Sequence, residues 1–265
     1  MVDVMSKIFS IVIPVVEKHD MFLPSLISEL GKEAHLIEEI IICRSGLDES
    51  KRNQYIYWLN QFTMNQEEVT PIFLESSRQS RNAGGNRNVG ARRAKSEWIA
   101  FIDADDKYSE KRLSILKKVI EQNVGVNLIL HSYTYQNELD EFPLIQVNEQ
   151  KTFEPILNDV LFDENFSNSY SEKDTNINVP TSAGGRSRVH HGHVTVRKSV
   201  FDKIQYLNEG VAEDGKFCRR VLRELGGVIY LAVPLSIYMV NESATNISPL
   251  MNKIKGLRAV FNSRR

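Results

Sequence analysis

The first hundred residues alternate between short apolar runs and amphipathic stretches. Four runs stand out: Phe9 to Val15, Glu39 to Cys43, Thr70 to Leu74 and Trp98 to Asp103. Each is nearly continuously apolar and rich in β-branched or aromatic residues, the pattern of strands buried on both faces. The segments between them repeat with helical spacing. Leu23, Leu26, Ile27 and Leu30 form one stripe within Phe22 to Leu30, and Tyr55, Trp58, Leu59 and Phe62 another within Ser50 to Phe62. A short helix rich in small residues is predicted over Asn86 to Lys95. A longer one, Glu110 to Gln122, has Leu113, Leu116, Val119 and Ile120 on one face. Strand and helix in alternation predict an α/β fold with a mainly parallel central sheet flanked by helices.

Beyond residue 107 the rhythm changes. Val126 to Tyr135 reads as a strand, and the polar stretch from Gln136 to Asn178 carries no firm pattern. A glycine-rich loop is expected over Pro180 to Gly192, then a short strand at His193 to Arg197. The next helix, Glu213 to Leu225, has Phe217, Cys218, Val221, Leu222 and Leu225 as its apolar face. Gly226-Gly227 should end it, because glycine tolerates the left-handed conformation that closes a helix. Val228 to Val240 forms one or two closing strands, and no internal repeat is visible.

Charge narrows the function classes. The 33 Lys and Arg nearly cancel the 34 Asp and Glu, so the chain lacks the basic excess of a general nucleic-acid binder. The two cysteines, Cys43 and Cys218, sit among apolar residues and are expected as buried free thiols. Met1 to Lys7 contains no long apolar run, which points to a cytoplasmic protein.

The chemistry concentrates where the fourth strand ends. Asp103, Asp105 and Asp106 put three carboxylates within four residues, directly after the apolar Trp98 to Ile102. Ligands of open α/β sheets bind beyond the carboxyl ends of the strands. Acids crowded there repel one another, and a hard divalent ion completed by diphosphate oxygens would compensate them. The alternative is an acidic turn that simply faces water. The apolar strand before the acids favours the first reading, since it fixes their place on the sheet edge. Arg87-Asn88 is expected at a helix start just upstream, where a helix N-terminus also attracts anions.

These residues resemble the family 2 glycosyltransferases with the GT-A fold. The likeness is carried by Arg87-Asn88-Val89-Gly90, by Asp103-Ala104-Asp105-Asp106 at the matching spacing, and by the opening strand Ser10 to Pro14. Glu213-Asp214 at a helix start and the closing Pro234 to Tyr238 extend it to about residue 240. The resemblance implies an inverting enzyme that moves a sugar from a nucleoside diphosphate donor to a hydroxyl. The implied acceptor is a glycan or lipid-linked glycan, as in cell-surface polysaccharide synthesis. It implies one domain over residues 1–250, with a donor half at about 8–106, an acceptor half at about 107–250, and a basic tail at 251–265.

Residue roles follow from the same likeness. Asp105 would ligate Mn²⁺ or Mg²⁺, and Asp103 would hold the ribose or a metal-bound water, with Ala104 between them. Asp106 would orient this group. Pro14, Val15 and Glu17 would contact the nucleoside, and Arg87 the base or phosphates. One departure concerns the base. Many relatives end the second strand in Asp-Asp-Gly-Ser, whereas this chain has Cys43-Arg44-Ser45-Gly46 and no acid before the glycine. Arg44 is then a candidate contact to base or phosphate. UDP is the default donor nucleotide, with TDP and GDP open.

Inverting transfer needs a carboxylate to take the proton of the attacking hydroxyl. Glu213 and Asp214 are the candidates, at a helix start whose dipole favours the ionised form; simple helix capping is the other use of such acids. The likeness favours Asp214, with Glu213 beside the acceptor. His191 and His193 would share a face of a strand and could serve metal, donor, acceptor or structure; no third ligand stands at a zinc spacing. The basic flap Gly184 to Arg188 could close over a diphosphate. Met251 to Arg265 has five basic residues, no acid and a possible apolar helical face, which suits an anionic membrane surface or an unstructured tail. Two other classes compete. A nucleotidyltransferase would carry a glycine-rich loop where Pro14-Val15-Val16-Glu17-Lys18 stands, and a silent binding protein would not need intact Asp103, Asp105 and Asp214.

Overall fold

The computed structural model describes residues 7–63, 72–77, 81–135, 178–181, 185–188, 194–207 and 213–239. The expected strands are β1 (Phe9–Val15), β2 (Ile37–Ser45), β3 (Ile72–Ser77), β4 (Trp98–Phe101) and β6 (Leu128–Tyr135), with the two-residue β5 (Lys107–Tyr108) before the last of these. They are followed by β7 (Asn178–Thr181), β8 (Gly185–Arg188), β9 (Val194–Arg197) and β10 (Val228–Tyr238). The helices are α1 (Leu23–Leu30), α2 (Glu49–Thr63), α3 (Ala83–Arg93), α4 (Arg112–Gln122) and α5 (Glu213–Glu224).

The main sheet has the order β3-β2-β1-β4-β9-β6-β10-β5. Its β3-β2, β2-β1, β1-β4 and β6-β10 pairs are parallel, while β9 runs antiparallel between β4 and β6 and β5 antiparallel to β10. The fold is therefore α/β with a mainly parallel sheet, and β1 to β4, β6 and β10 all end at one edge.

Side-chain alternation along β1 explains its unbroken apolar run. Phe9, Ile11, Ile13 and Val15 pack on one face with α1, α2 and α4. Val12 packs on the other with Ile41, Cys43 and the helices α3 and α5. Both faces are covered, so every position must be apolar unless paired. Ser10 is paired: its hydroxyl donates to buried Glu39 at 2.9 Å. Cys43 and Cys218 are free and buried, as expected.

Three expectations change in detail. The helix foreseen at Asn86 begins at Ala83 instead, because the Asn82 side chain caps it by accepting the Gly85 N–H at 2.7 Å. Arg87 thus lies in the second turn, not at the helix start. Pro14 and Val15, expected as nucleoside contacts, are the last two residues of β1, and both are buried. Part of the glycine-rich loop forms a hairpin, with β7 and β8 paired antiparallel from Asn178–Arg188 to Thr181–Gly185.

Gly90 brings α3 onto the sheet. A Cβ there would stand 2.4 Å from Val12 Cγ1 and 3.0 Å from Cys43 Sγ. No larger residue allows this approach, which delivers Arg87, one turn earlier, to the sheet edge. At the end of α5 both Gly226 and Gly227 have positive φ, 65° and 63°. That is the predicted helix stop, and it turns the chain directly into β10.

Candidate active site

The carboxyl edge of the sheet gathers most of the expected residues. Asp103 follows β4 by two positions and receives the Arg87 Nη2 at 2.6 Å. Its backbone N–H donates to the Tyr108 hydroxyl at 2.8 Å, so the start of the acidic turn is held from both sides. Ala104 points its methyl into the core beside β1 and α4, leaving its backbone for any ligand contact. Asp105 turns back toward β1, where its Oδ2 lies 3.4 Å from His19 Nε2.

Asp106 is buried. Its Oδ1 accepts the backbone N–H of Met239 at 3.1 Å, which ties the acidic turn to the end of β10. Its Oδ2 has no hydrogen-bond partner among the described residues. Burial pushes the Asp106 carboxyl well above the ordinary range, and the Asp103 and Asp105 charges add to the effect. Asp105 is raised for the same leading reason, burial, with His19 opposing and Asp103 reinforcing. Arg112 is fully buried beneath this turn. Its Nη2 donates to the Phe101 carbonyl at 3.1 Å, its Nε bonds His131 Nε2 at 3.0 Å, and its guanidinium lies over the Tyr108 ring at 4.8 Å. Burial lowers its pKa to about 10, which leaves it cationic at neutral pH.

Arg87 is the link to the other half of the site. It is 2 % exposed, and its Nε and Nη1 have no hydrogen-bond partner among the described residues. Its guanidinium lies over the ring of Tyr206 at 5.8 Å. Tyr206 stacks on Phe217 of α5 at 4.1 Å, nearly parallel. Asn88, the next residue on α3, pairs with the backbone N–H and C=O of Tyr206, both at 2.9 Å. Gly84 permits the same docking, since a Cβ there would meet Glu213 Cγ and Tyr206 Cβ at 3.1 Å.

This packing sets the start of α5, where Glu213 and Asp214 stand as the sequence predicts. Burial raises Asp214 from 3.8 to about 6. The Gly215 N–H, at 2.8 Å, and the Arg87 charge lower it, while Glu213 and Asp103 push it up. Arg87 and Asp103 therefore act on Asp214 directly, and the two motifs belong to one electrostatic site. A largely buried carboxylate with a pKa near 6 can accept a proton at neutral pH, where it is mostly ionised.

Arg44 is placed differently from a ligand contact. Its guanidinium is buried, with Nε 3.1 and 3.2 Å from the two oxygens of Asp20 and Nη1 bonded to the Ser45 carbonyl at 2.6 Å. Tyr55 also donates to Asp20 at 2.8 Å. Glu17 opens the 3-10 turn Glu17–Phe22, with its side chain exposed and 3.8 Å from Arg44. The acid lacking at the end of β2 is thus matched in space by Asp20, which comes from the turn after β1. Asp20, His19, Tyr206 and Arg112 carried no sequence signal of their own, because each becomes significant only through a partner far along the chain. His191, His193 and the tail 251–265 lie outside the described residues.

The carboxylates fit a divalent ion in their chemistry. Asp105 is a hard oxygen donor beside a second acid, and burial and mutual repulsion leave this group short of positive charge. Among the described residues no three His, Cys, Asp or Glu form a ready metal shell. No helix among the described residues is long and apolar enough to cross a membrane.

The mainly parallel α/β sheet is that of the GT-A glycosyltransferase fold, and solved structures share it. TarS of S. aureus (residues 1–349) superposes with a TM-score of 0.57 at 16 % identity, over 88 % of this chain and 60 % of that one. Glucosyl-3-phosphoglycerate synthase from Mycobacterium tuberculosis, bound to Mn²⁺, UDP and glucosyl-3-phosphoglycerate, gives 0.54 at 13 % identity over 93 % of this chain and 75 % of that one. The mannosyltransferase PcManGT from Pyrobaculum calidifontis, with GDP-Man and Mn²⁺, gives 0.58 at 9 % identity over 89 % and 58 %. The family model for glycosyl transferase family 2 matches residues 10–190, and the chain belongs to that family. It is also 28 % identical over 109 residues to an uncharacterized glycosyltransferase of Haemophilus influenzae, covering 41 % of this chain and 33 % of that protein. The chain thus spans a third of that relative's length.

Proposed function

We propose that this chain is an inverting glycosyltransferase that carries a sugar from a nucleoside diphosphate donor to an acceptor hydroxyl, with Asp214 as general base. The observation that carries the reading is Arg87, held against Asp103 and acting on Asp214, which joins the acidic edge to a carboxylate with a pKa of about 6.

Arg87 binds the donor phosphates through Nε and Nη1, buried donors with no hydrogen-bond partner among the described residues. Asp103 orients Arg87 and meets the donor from the other side. Asp105, with Asp103 nearby, would hold a divalent ion, Mn²⁺ or Mg²⁺, which would supply positive charge to the departing diphosphate. Asp214 takes the proton of the acceptor O–H. The acceptor oxygen then forms its bond to the anomeric carbon as the bond to the diphosphate oxygen breaks, and the nucleoside diphosphate departs. Glu213 lies beside Asp214 on the acceptor side.

UDP is the first donor nucleotide to test, because UDP-bound structures of TarS and of the mycobacterial synthase share this fold; the GDP-mannose complex of PcManGT keeps GDP open. The acceptor we favour is a glycan or lipid-linked glycan hydroxyl, and the basic tail 251–265 would serve as a contact to an anionic membrane surface.

The test is a panel of UDP-, TDP- and GDP-sugars with Mn²⁺, read as release of nucleoside diphosphate. We expect one donor to be turned over, and the release to vanish with EDTA and in Asp105→Ala. Metal-independent release, or release unchanged in Asp105→Ala, would overturn the metal assignment.

A further inference from the structure

The turn after β1 carries a residue that the motifs do not account for. His19 reaches across to the acidic turn and sets its Nε2 3.4 Å from Asp105 Oδ2. The imidazole is not loosely placed. Its backbone N–H bonds the Val16 carbonyl at 2.9 Å, and its ring meets Phe22 edge-on at a centroid distance of 6.1 Å. Both side chains of the pair are about one-fifth exposed, so neither is sealed from solvent.

We propose that His19 is a ligand of the divalent ion, sharing it with Asp105, and that this nitrogen donor gives the site a preference for Mn²⁺ over Mg²⁺. The proposal rests on the metal reading of Asp105 above and adds to it a ligand from a different element.

Geometry supports the pairing. Two atoms bound to one ion at about 2.1 Å, at a right angle, lie about 3.0 Å apart. Nε2 and Oδ2 are within a small side-chain rotation of that spacing, and the ring nitrogen already faces the carboxylate. The two ligands come from turns after adjacent parallel strands, β1 and β4, so the sheet itself holds them at one place. Ligand chemistry supplies the selectivity. Mg²⁺ takes an oxygen shell and dehydrates reluctantly, so exchanging one oxygen ligand for an imidazole costs it more than it costs Mn²⁺, a transition-metal ion. One imidazole replacing one oxygen therefore favours Mn²⁺. Two protein ligands leave the rest of the shell to diphosphate and water.

The experiment uses the full chain with Mn²⁺, alone and with UDP, read by pulsed electron paramagnetic resonance. A directly bound imidazole gives a ¹⁴N modulation of the Mn²⁺ echo that carboxylate, water and phosphate do not. We expect this modulation in the wild type and its loss in His19→Gln, with Mn²⁺ affinity down about tenfold and the preference over Mg²⁺ reduced. Histidine labelled with ¹⁵N should change the coupling in the wild type without any substitution. A modulation that survives in His19→Gln overturns the proposal by assigning the nitrogen to another imidazole. So does its absence from the wild type while Asp105→Ala still abolishes Mn²⁺ binding, which would leave the Asp105 reading standing. Mn²⁺ binding unchanged in Asp105→Ala would remove that reading and the proposal together.

Discussion

The side-chain amide of Asn88 pairs with both backbone polar groups of Tyr206, donating to its carbonyl and accepting from its N–H, each at 2.9 Å. A residue on the helix beside the acidic turn thereby fixes the segment whose ring packs on α5, the helix that begins with Asp214. Asn is the side chain for this, since it offers one donor and one acceptor in one plane. Asn88→Asp keeps the acceptor, loses the donor and adds a charge. We expect a loss of about 1–3 kcal/mol in stability. Turnover should fall more than donor affinity, because the displaced group is on the acceptor side. Chemical denaturation with kinetics on the same preparation checks it, and unchanged turnover would confine Asn88 to a structural role.

Gly90→Ala probes the approach of α3 to the sheet. The new Cβ would lie 2.4 Å from Val12 Cγ1, a contact that only movement of the helix or strand relieves. Overpacking of this kind costs about 1–3 kcal/mol. Arg87, one turn away, would shift with the helix, so donor affinity should drop with the melting temperature. A melting temperature equal to the wild type would show that α3 relaxes freely.

Much of this was legible along the chain, and the reasons differ by element. Strands β1, β2 and β4 were legible because each is buried on both faces. The run from Phe9 to Val15 is continuous only because alternate residues serve two separate cores. Asp103 to Asp106 and Glu213-Asp214 were legible as acids in unusual places. The start of α3 was misjudged because a cap is a side-chain hydrogen bond: Asn82 alone decides it, four residues before the expected start and without apolar periodicity. Arg44 was legible as an anomaly at the end of β2, but not as the partner of Asp20, since that pairing depends on where the turn after β1 folds back. His19 was hidden for the same reason.

Arg87→Lys separates charge from geometry. Arg87 uses one guanidinium nitrogen on Asp103, its other two have no hydrogen-bond partner among the described residues, and the group lies over the face of Tyr206. Lysine preserves the charge but not the planar fork, so it cannot hold Asp103 and a phosphate together. Donor affinity should fall at least tenfold, by calorimetry with Mn²⁺ and UDP. Affinity within twofold of the wild type would mean that Arg87 serves only to hold Asp103.

Asp214→Asn tests catalysis and stability together, and the two should move in opposite directions. Asparagine is nearly isosteric, and its Oδ1 can still accept the Gly215 N–H, so the start of α5 should form normally. It cannot take a proton, and loss of a general base costs about 10²–10⁴ in rate. Donor affinity should barely change. In the wild type, burial holds the Asp214 pKa at about 6, above its ordinary 3.8, so turnover should climb as pH rises through about 6 and level off near 7. The same shift has a stability consequence. A carboxyl with a raised pKa in the folded state favours folding most below about 4, and that contribution is lost as pH rises through about 6. It is worth at most on the order of 3 kcal/mol. Asp214→Asn carries no buried charge at any of these values. It should melt close to the wild type near pH 4 and about 2–6 °C above it at pH 8. An inactive variant with the higher melting temperature at pH 8 would identify Asp214 as a charge buried at a cost to stability and kept for proton transfer. Full turnover in Asp214→Asn with an inactive Glu213→Gln would move the base back one residue, and full turnover in both would remove it from α5.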